Sequence, residues 1–370
     1  MKKVLFTATM DVFILQFQIP YLKLFKEKGY QVYVSTNNYG KIPYCDIKYT
    51  VPFSRNPFSL SNFKAYKKLK RLIDKEHFDI IHTHNPIVSV ITRLAARKSR
   101  RKYKTRVLYT AHGFHFYKGA PKRNWLIFYN AEKVMAKYTD TLITMNKEDF
   151  NIAKKKFIKR CKKIEYVSGV GIEESRFKFR MSKKEKNELR ASLGLKEDDF
   201  VLIFPARIAY DKNQGFLINA MQKLIKKDKS IKLLLPGEDE VNGYYEKMIK
   251  EKRLSKYIKL LGYREDIPKL LRISDISVSS SLREGLPVHI MEAYITGLPV
   301  VALECRGVSD MVTIENGFMV HTEEEFIEKI EYLKNNKHVR KVISKNNKEK
   351  AKKYYIENIL EEYKKIYKLK

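Results

Sequence analysis

Between Ser274 and Val301 the chain reads SDISVSSSLREGLPVHIMEAYITGLPVV. An apolar run of strand length around Ile276 and Val278 gives way to Glu284-Gly285-Leu286-Pro287, after which Val288 to Thr296 reads as one short helix. Gly297 followed by Pro299 stops that helix, and Val300-Val301-Ala302 begins a second buried strand. Strand, glycine turn, helix and strand make a βαβ unit, which commits both strands to one parallel sheet with a helix across its face.

The turn also carries chemistry. Gly285 lets bare backbone N–H groups approach a ligand, and the helix start behind it favours negative charge. Glu284 and Glu292 bracket this turn. A carboxylate repels phosphate but accepts hydrogen bonds from hydroxyls, so the pattern suits a phosphate attached to a sugar. An ordinary surface turn with two solvated acids is the other reading of the same spacing.

The same rhythm runs through the chain. Strands are expected at Lys3 to Ala8, Gln31 to Thr36, Phe78 to Ile81, Arg106 to Thr110 and Asp140 to Met145, with helices at Ile14 to Lys28, Leu60 to His77, Val88 to Lys98 and Trp125 to Tyr138. A polar connection from Ile172 to Asp199, low in apolar residues, separates this half from a second series of strands starting at Phe200, Ile231 and Ile258. At 370 residues the chain is long for one core and reads as two domains. The fold class expected is α/β, with boundaries at 1–171, 172–353 and a terminal segment 354–370.

In open α/β sheets ligands meet the carboxyl ends of strands. Three such ends stand out. His84 closes one, the run Ala111-His112-Gly113-Phe114-His115 closes another, and Arg207 and Lys212 lie in the turn after the strand at Phe200. Two permanent cations five residues apart at a helix start suit a diphosphate. Lone histidines are more often satisfied polar residues than ligands. The first turn, Thr7 to Phe13, has no glycine, but Asp11 there is in position to accept a hydrogen bond from a hydroxyl.

The charge is +33 and uneven, with 35 basic and 11 acidic residues through Val170 and 40 and 31 after it. A basic first half fits nucleic acid, an anionic membrane surface or acidic substrates, or else a lysine-rich solvated surface. No nucleic-acid module or aromatic-basic repeat is present, so nucleic acid is not expected. Cys45, Cys161 and Cys305 are widely separated, which supports neither a disulfide framework nor a zinc site and implies a reduced, cytoplasmic setting. Thr7, Thr9 and Asp11 interrupt the apolar start, and no apolar run of about 18 residues occurs, so neither a signal peptide nor a membrane span is expected. The basic helix from Leu60, with Phe63, Tyr66, Leu69 and Ile73 on one face, fits attraction to anionic headgroups.

The pair Glu284 and Glu292 with GLP after the first and GLPVV after the second, together with Arg207, Lys212 and YTAHGFHFYKGAP, resembles retaining GT-B glycosyltransferases of family 4, of the bacterial exopolysaccharide and capsule type. The resemblance implies a GT-B fold, in which two Rossmann-like domains face a central cleft and the C-terminal helix, Tyr354 to Tyr367, returns to the first domain. It implies that Arg207 and Lys212 clamp the donor diphosphate, that Glu284, with Gly285 and Leu286, meets the donor sugar, that Glu292 meets the ribose, and that the base, expected to be uracil, lies near Arg264. His112 would touch the donor sugar and its phosphates, with Asp11, His84 and His115 on the acceptor side.

The activity so implied is hexosyl transfer with retention from a UDP-hexose or UDP-N-acetylhexosamine to a lipid-linked saccharide, at the inner face of the plasma membrane. No cofactor and no metal are expected, since no D-x-D turn ends a strand. A nucleotide-sugar 2-epimerase of the same fold and a noncatalytic basic protein binding membrane or nucleic acid are the competing readings. Release of an isomerised nucleotide sugar would mark the first; salt-sensitive DNA binding without protection by nucleotide sugar would mark the second.

Overall fold

The computed structural model describes residues 1–369, which divide into two compact units: residues 1–171 joined by the segment from Ile359 onward, and Ile172–Asn358. Each unit is a parallel sheet covered by helices. The strands of the first are β1 (Lys3–Thr7), β2 (Gln31–Thr36), β3 (Ile47–Thr50), β4 (Ile80–His84), β5 (Arg106–Ala111), β6 (Thr141–Thr144) and β7 (Lys163–Tyr166), in the order β3-β2-β1-β4-β5-β6-β7. Leu5 lies beside Tyr33 on one side and Ile81 on the other, so the centre of the sheet is buried on both faces. The two edge strands were not legible as apolar runs. β3 has no fully buried residue and β7 only one, as expected of short edges that do not invite further pairing.

One face of this sheet packs Leu69, Leu72 and Ile73 of the helix Leu60–Glu76 against Val51, Phe78 and Ile81. On the other side of the core, Phe6 meets Phe25, and Phe25 and Tyr21 meet Tyr367 and Tyr363 of the C-terminal helix with ring centroids 4.8 Å apart. Each such buried aromatic contributes roughly 1.5–3 kcal/mol by removing apolar area from water. The Arg106 guanidinium donates to the carbonyls of Tyr367 at 2.5 Å and Ile366 at 2.7 Å, satisfying the helix's last orphan acceptors. That helix is Ile356–Tyr367, and only the part from Ile359 belongs to the first unit.

The single helix expected over Ile14 to Lys28 is instead two, Asp11–Phe17 and Ile19–Glu27, with Gln18 between them. Pro20 sits in the first turn of the second, where its missing N–H leaves no gap. The helix expected from Trp125 begins earlier, at Lys122, and widens into a π turn over Trp125–Tyr129 before tightening again.

The second unit contains β8 (Phe200–Ile203), β9 (Ile231–Pro236), β10 (Ile258–Gly262), β11 (Ile276–Ser279), β12 (Val300–Leu303) and β13 (Gly317–Val320), ordered β10-β9-β8-β11-β12-β13 and all parallel. The helix Val288–Thr296 joins β11 to β12 and is buried from His289 onward. Gly297 ends it at φ +78°, its N–H donating to Tyr294 O and that of Leu298 to Ala293 O, a Schellman closure that L side chains resist. A Cβ at Gly297 would lie 2.4 Å from Ser344 Oγ, so the helix Lys337–Ala351 also packs too closely there for any larger residue.

Candidate active site

In the second unit the chain leaves β8 for β9 on one side and returns to β11 on the other, so the carboxyl ends of β8 and β11 form the crevice where such sheets hold ligands. Both motif loops sit there. They are laced together: Leu282 N–H donates to Asp211 O at 2.9 Å and Ser280 Oγ to Lys212 O at 2.7 Å. The loop after β12 joins them, Glu284 N–H donating to Arg306 O and Arg306 Nε to Glu284 O, each at 3.2 Å. Gly307 makes that approach possible. At φ +84° it lies so close that an added Cβ would be 2.5 Å from Gly285 O.

Lys212 Nζ reaches Glu284 Oε1 at 2.5 Å, with both side chains largely buried, 14% and 12% exposed. Burial pushes the Glu284 carboxyl up, but the Lys212 ammonium outweighs it and holds the group below the usual carboxylate range. Glu292, about one turn into the helix Val288–Thr296, has no such neighbour. Burial pushes it up to about 7 against a pull from Arg176. One acid is therefore an anion and the other is poised near neutrality, a separation that environment alone produces.

The other cations have their own partners. Arg207 is half exposed and pairs with Glu240 and, at 3.8 Å, with Asp211, not with Glu284. Arg264 follows β10 and is held by both oxygens of Asp266 at 2.7 and 2.6 Å. Gly285 and Leu286 lie between Glu284 and the helix Val288–Thr296, as the turn requires.

In the first unit the corresponding switch lies between β1 and β4. His84 ends β4, and its Nδ1 is 3.1 Å from His112 Nε2, with the Phe13 ring 4.9 Å from His112 and 5.2 Å from His84. Burial pushes His112 down to about 4 and His84 well below its ordinary value, so both are neutral at pH 7 and one donates the shared proton to the other. His82 extends the chain inward, Nδ1 to Tyr367 Oη at 2.6 Å and Nε2 to Thr110 Oγ1 at 2.8 Å. His115 packs its ring 4.7 Å from Phe128. Asp11 differs from the expectation that it meets an acceptor. Its Oδ1 is bonded to Thr36 and Lys48 and its Oδ2 accepts Gly40 N–H at 2.9 Å, which makes it a clamp for the loop after β2.

Comparison with known proteins follows this division. Residues 3–146 match the model described as "Glycosyl transferase 4-like" and residues 185–350 that of "Glycosyl transferases group 1". A Bacillus subtilis protein named as a glycosyltransferase, EpsD, is 40% identical over 335 residues, 90% of this chain and 87% of that one. The chain belongs to the group 1, family 4-like glycosyltransferases. An Escherichia coli relative, UDP-Gal:alpha-D-GlcNAc-diphosphoundecaprenol alpha-1,3-galactosyltransferase, is 30% identical across 79% of this chain and 75% of its own. The crystal structure of Anabaena HepE in complex with UDP and glucose superposes with a TM-score of 0.79 at 19% identity, covering all of both chains. The fold is accordingly GT-B.

For this glycosyltransferase, sequence reasoning missed His289, Arg306 and Gly307. His289 lies three residues before Glu292 on the same helix, is pushed by burial to about 4, and leaves Nε2 buried without a hydrogen-bond partner among the described residues. Arg306 and Gly307 lie in the loop after β12, three and four residues past its end, and a glycine beside an arginine after a legible buried strand was the available signal. No helix is long and apolar enough to cross a membrane among the described residues.

Proposed function

We propose that the chain transfers a hexose or N-acetylhexosamine from a UDP-sugar to a lipid-linked saccharide during cell-surface polysaccharide synthesis, with retention of anomeric configuration. The observation that carries this is the buried Lys212–Glu284 pair at the β8/β11 switch point. Lys212 is placed to share its charge between Glu284 and a departing diphosphate, and Arg207, half exposed, is free to exchange its carboxylate partners for phosphate. Glu284 would accept donor-sugar hydroxyls and Glu292 ribose hydroxyls. The E. coli relative's name specifies a UDP-sugar donor and an undecaprenol-linked acceptor, and the HepE structure holds UDP and glucose, which supports the choice of donor and acceptor class.

This reading requires no metal or other cofactor: lysine and arginine supply the leaving-group charge. Membrane attachment is part of the proposal. Phe58, Leu60 and Phe63 are exposed at the start of the helix Leu60–Glu76, beside Lys64, Lys67 and Lys68, an arrangement suited to an anionic leaflet on the cytoplasmic side. Thermal unfolding with UDP and with UDP-sugars, each with and without EDTA, tests the donor site. UDP must raise the melting temperature equally in both cases, and a Glu284→Gln variant must lose the increment due to the sugar. Absence of stabilisation by any UDP-sugar would overturn the reading.

A further inference from the structure

Residues 97–104 read RKSRRKYK, a density of positive charge the sugar site does not use. The short helix Arg97–Lys102 is pinned by Ser99 Oγ to Thr105 Oγ1 at 2.5 Å, and its exposed side chains border a cavity of about 640 Å³. The cavity lies at the amino ends of β5 and β6, where Arg106 and Asp140 stand, whereas His112 follows the carboxyl end of β5. Six residues of strand separate the two by roughly 20 Å, so this is not the sugar site.

Nine of the fifteen side chains lining the cavity are Lys or Arg, against a single carboxylate, Asp140. That carboxylate is already committed. Arg100 grips both its oxygens at 2.9 Å, Lys162 adds a third contact at 2.7 Å, and these bonds outweigh burial to bring Asp140 to about 2. Lys98, Arg101 and Lys104 have no anionic partner among the described residues. Lys104 is moreover held at φ +59°, a left-handed conformation unfavourable to a lysine, at the turn into β5. A solvated surface mixes its charges, whereas like charges around a concavity focus field into it and are stabilised by an anion. The volume suits a small ligand, and arginine forks match phosphate oxygens.

We propose that this cavity binds a phosphate-bearing anion through Lys98, Arg101 and Lys104. The source is either a free phosphate compound or the headgroup of an anionic phospholipid. The site is independent of the sugar-transfer reading, whose test is UDP binding.

The full chain, with UDP present at a concentration that just fills the donor site, is titrated calorimetrically with inorganic pyrophosphate and, separately, sedimented with phosphatidylglycerol–phosphatidylcholine vesicles. A Lys98→Glu/Arg101→Glu variant is compared with Lys155→Glu/Lys156→Glu on the helix Lys147–Phe157, which makes the same charge change at exposed positions outside both the cavity and the membrane-facing helix. The first is expected to weaken pyrophosphate binding by at least about tenfold while the second leaves it unchanged. Loss confined to pyrophosphate identifies a free phosphate ligand; loss extending to vesicles, beyond that of the second variant, identifies the headgroup. Equal behaviour of wild type and the Lys98/Arg101 variant toward both probes, or equal losses in the two variants, overturns the proposal. Should charge reversal disturb the melting curve, Lys98→Ala/Arg101→Ala replaces it with the same criteria.

Discussion

Lys212 and Glu284, seventy-two positions apart, meet at 2.5 Å where the loops after β8 and β11 are laced together. Removing the lysine leaves a buried carboxylate unpaired. Lys212→Ala is expected to cost about 3 kcal/mol in urea unfolding and at least about a hundredfold in sugar transfer. A Lys212→Met/Glu284→Leu double variant separates the two effects: stability should return toward wild type while transfer stays abolished.

Glu292 gives a pH dependence of definite sign. Its folded value of about 7 lies above the ordinary carboxylate value of 4.5, so between those pH values the folded state binds the extra proton and stability falls as pH rises. Glu292→Gln removes the ionisation. The variant's stability relative to wild type should therefore grow from pH 4.5 to about 7 and level off above, by no more than about 3 kcal/mol. Urea midpoints measured across pH 4.5 to 8 check this, and a constant difference would refute it.

The buried histidines act in the opposite direction. His82, at about 3, and His112, at about 4, lie below the ordinary 6.5, so the unfolded chain takes up protons first as pH falls. The stability they contribute is complete above about 6.5 and is lost progressively toward 4 and 3. His82→Gln should flatten the acid limb of the melting temperature between pH 6.5 and 4, at the cost of the bonds to Tyr367 and Thr110.

Gly307→Ala tests the close approach of the loops. The added methyl would press on Gly285 O from a backbone at φ +84°, costing about 1–3 kcal/mol. UDP-dependent stabilisation should fall with it, because Glu284 is hydrogen-bonded to the neighbouring Arg306 in both directions.

Arg106→Ala removes both donors to the last carbonyls of the C-terminal helix. A loss of about 2 kcal/mol is expected, with earlier hydrogen exchange over residues 359–367 than elsewhere in the first unit.

The sequence by itself determined the alternation of strand and helix, hence two parallel sheets, because apolar runs, glycine stops and helix periods are local properties. It also placed Arg207, Lys212, His84 and His112 at strand ends, where short loops keep them. It missed β3 and β7, whose edge positions demand few apolar residues, and read Asp11 as open to a ligand when Thr36, Lys48 and Gly40 close around it. Which cation faces which acid was decided only by the tertiary structure. Lys212 meets Glu284 and Arg207 meets Glu240 because sheet order brings particular loops together, and a long side chain then takes the nearest partner that burial leaves it. No local pattern encodes that choice.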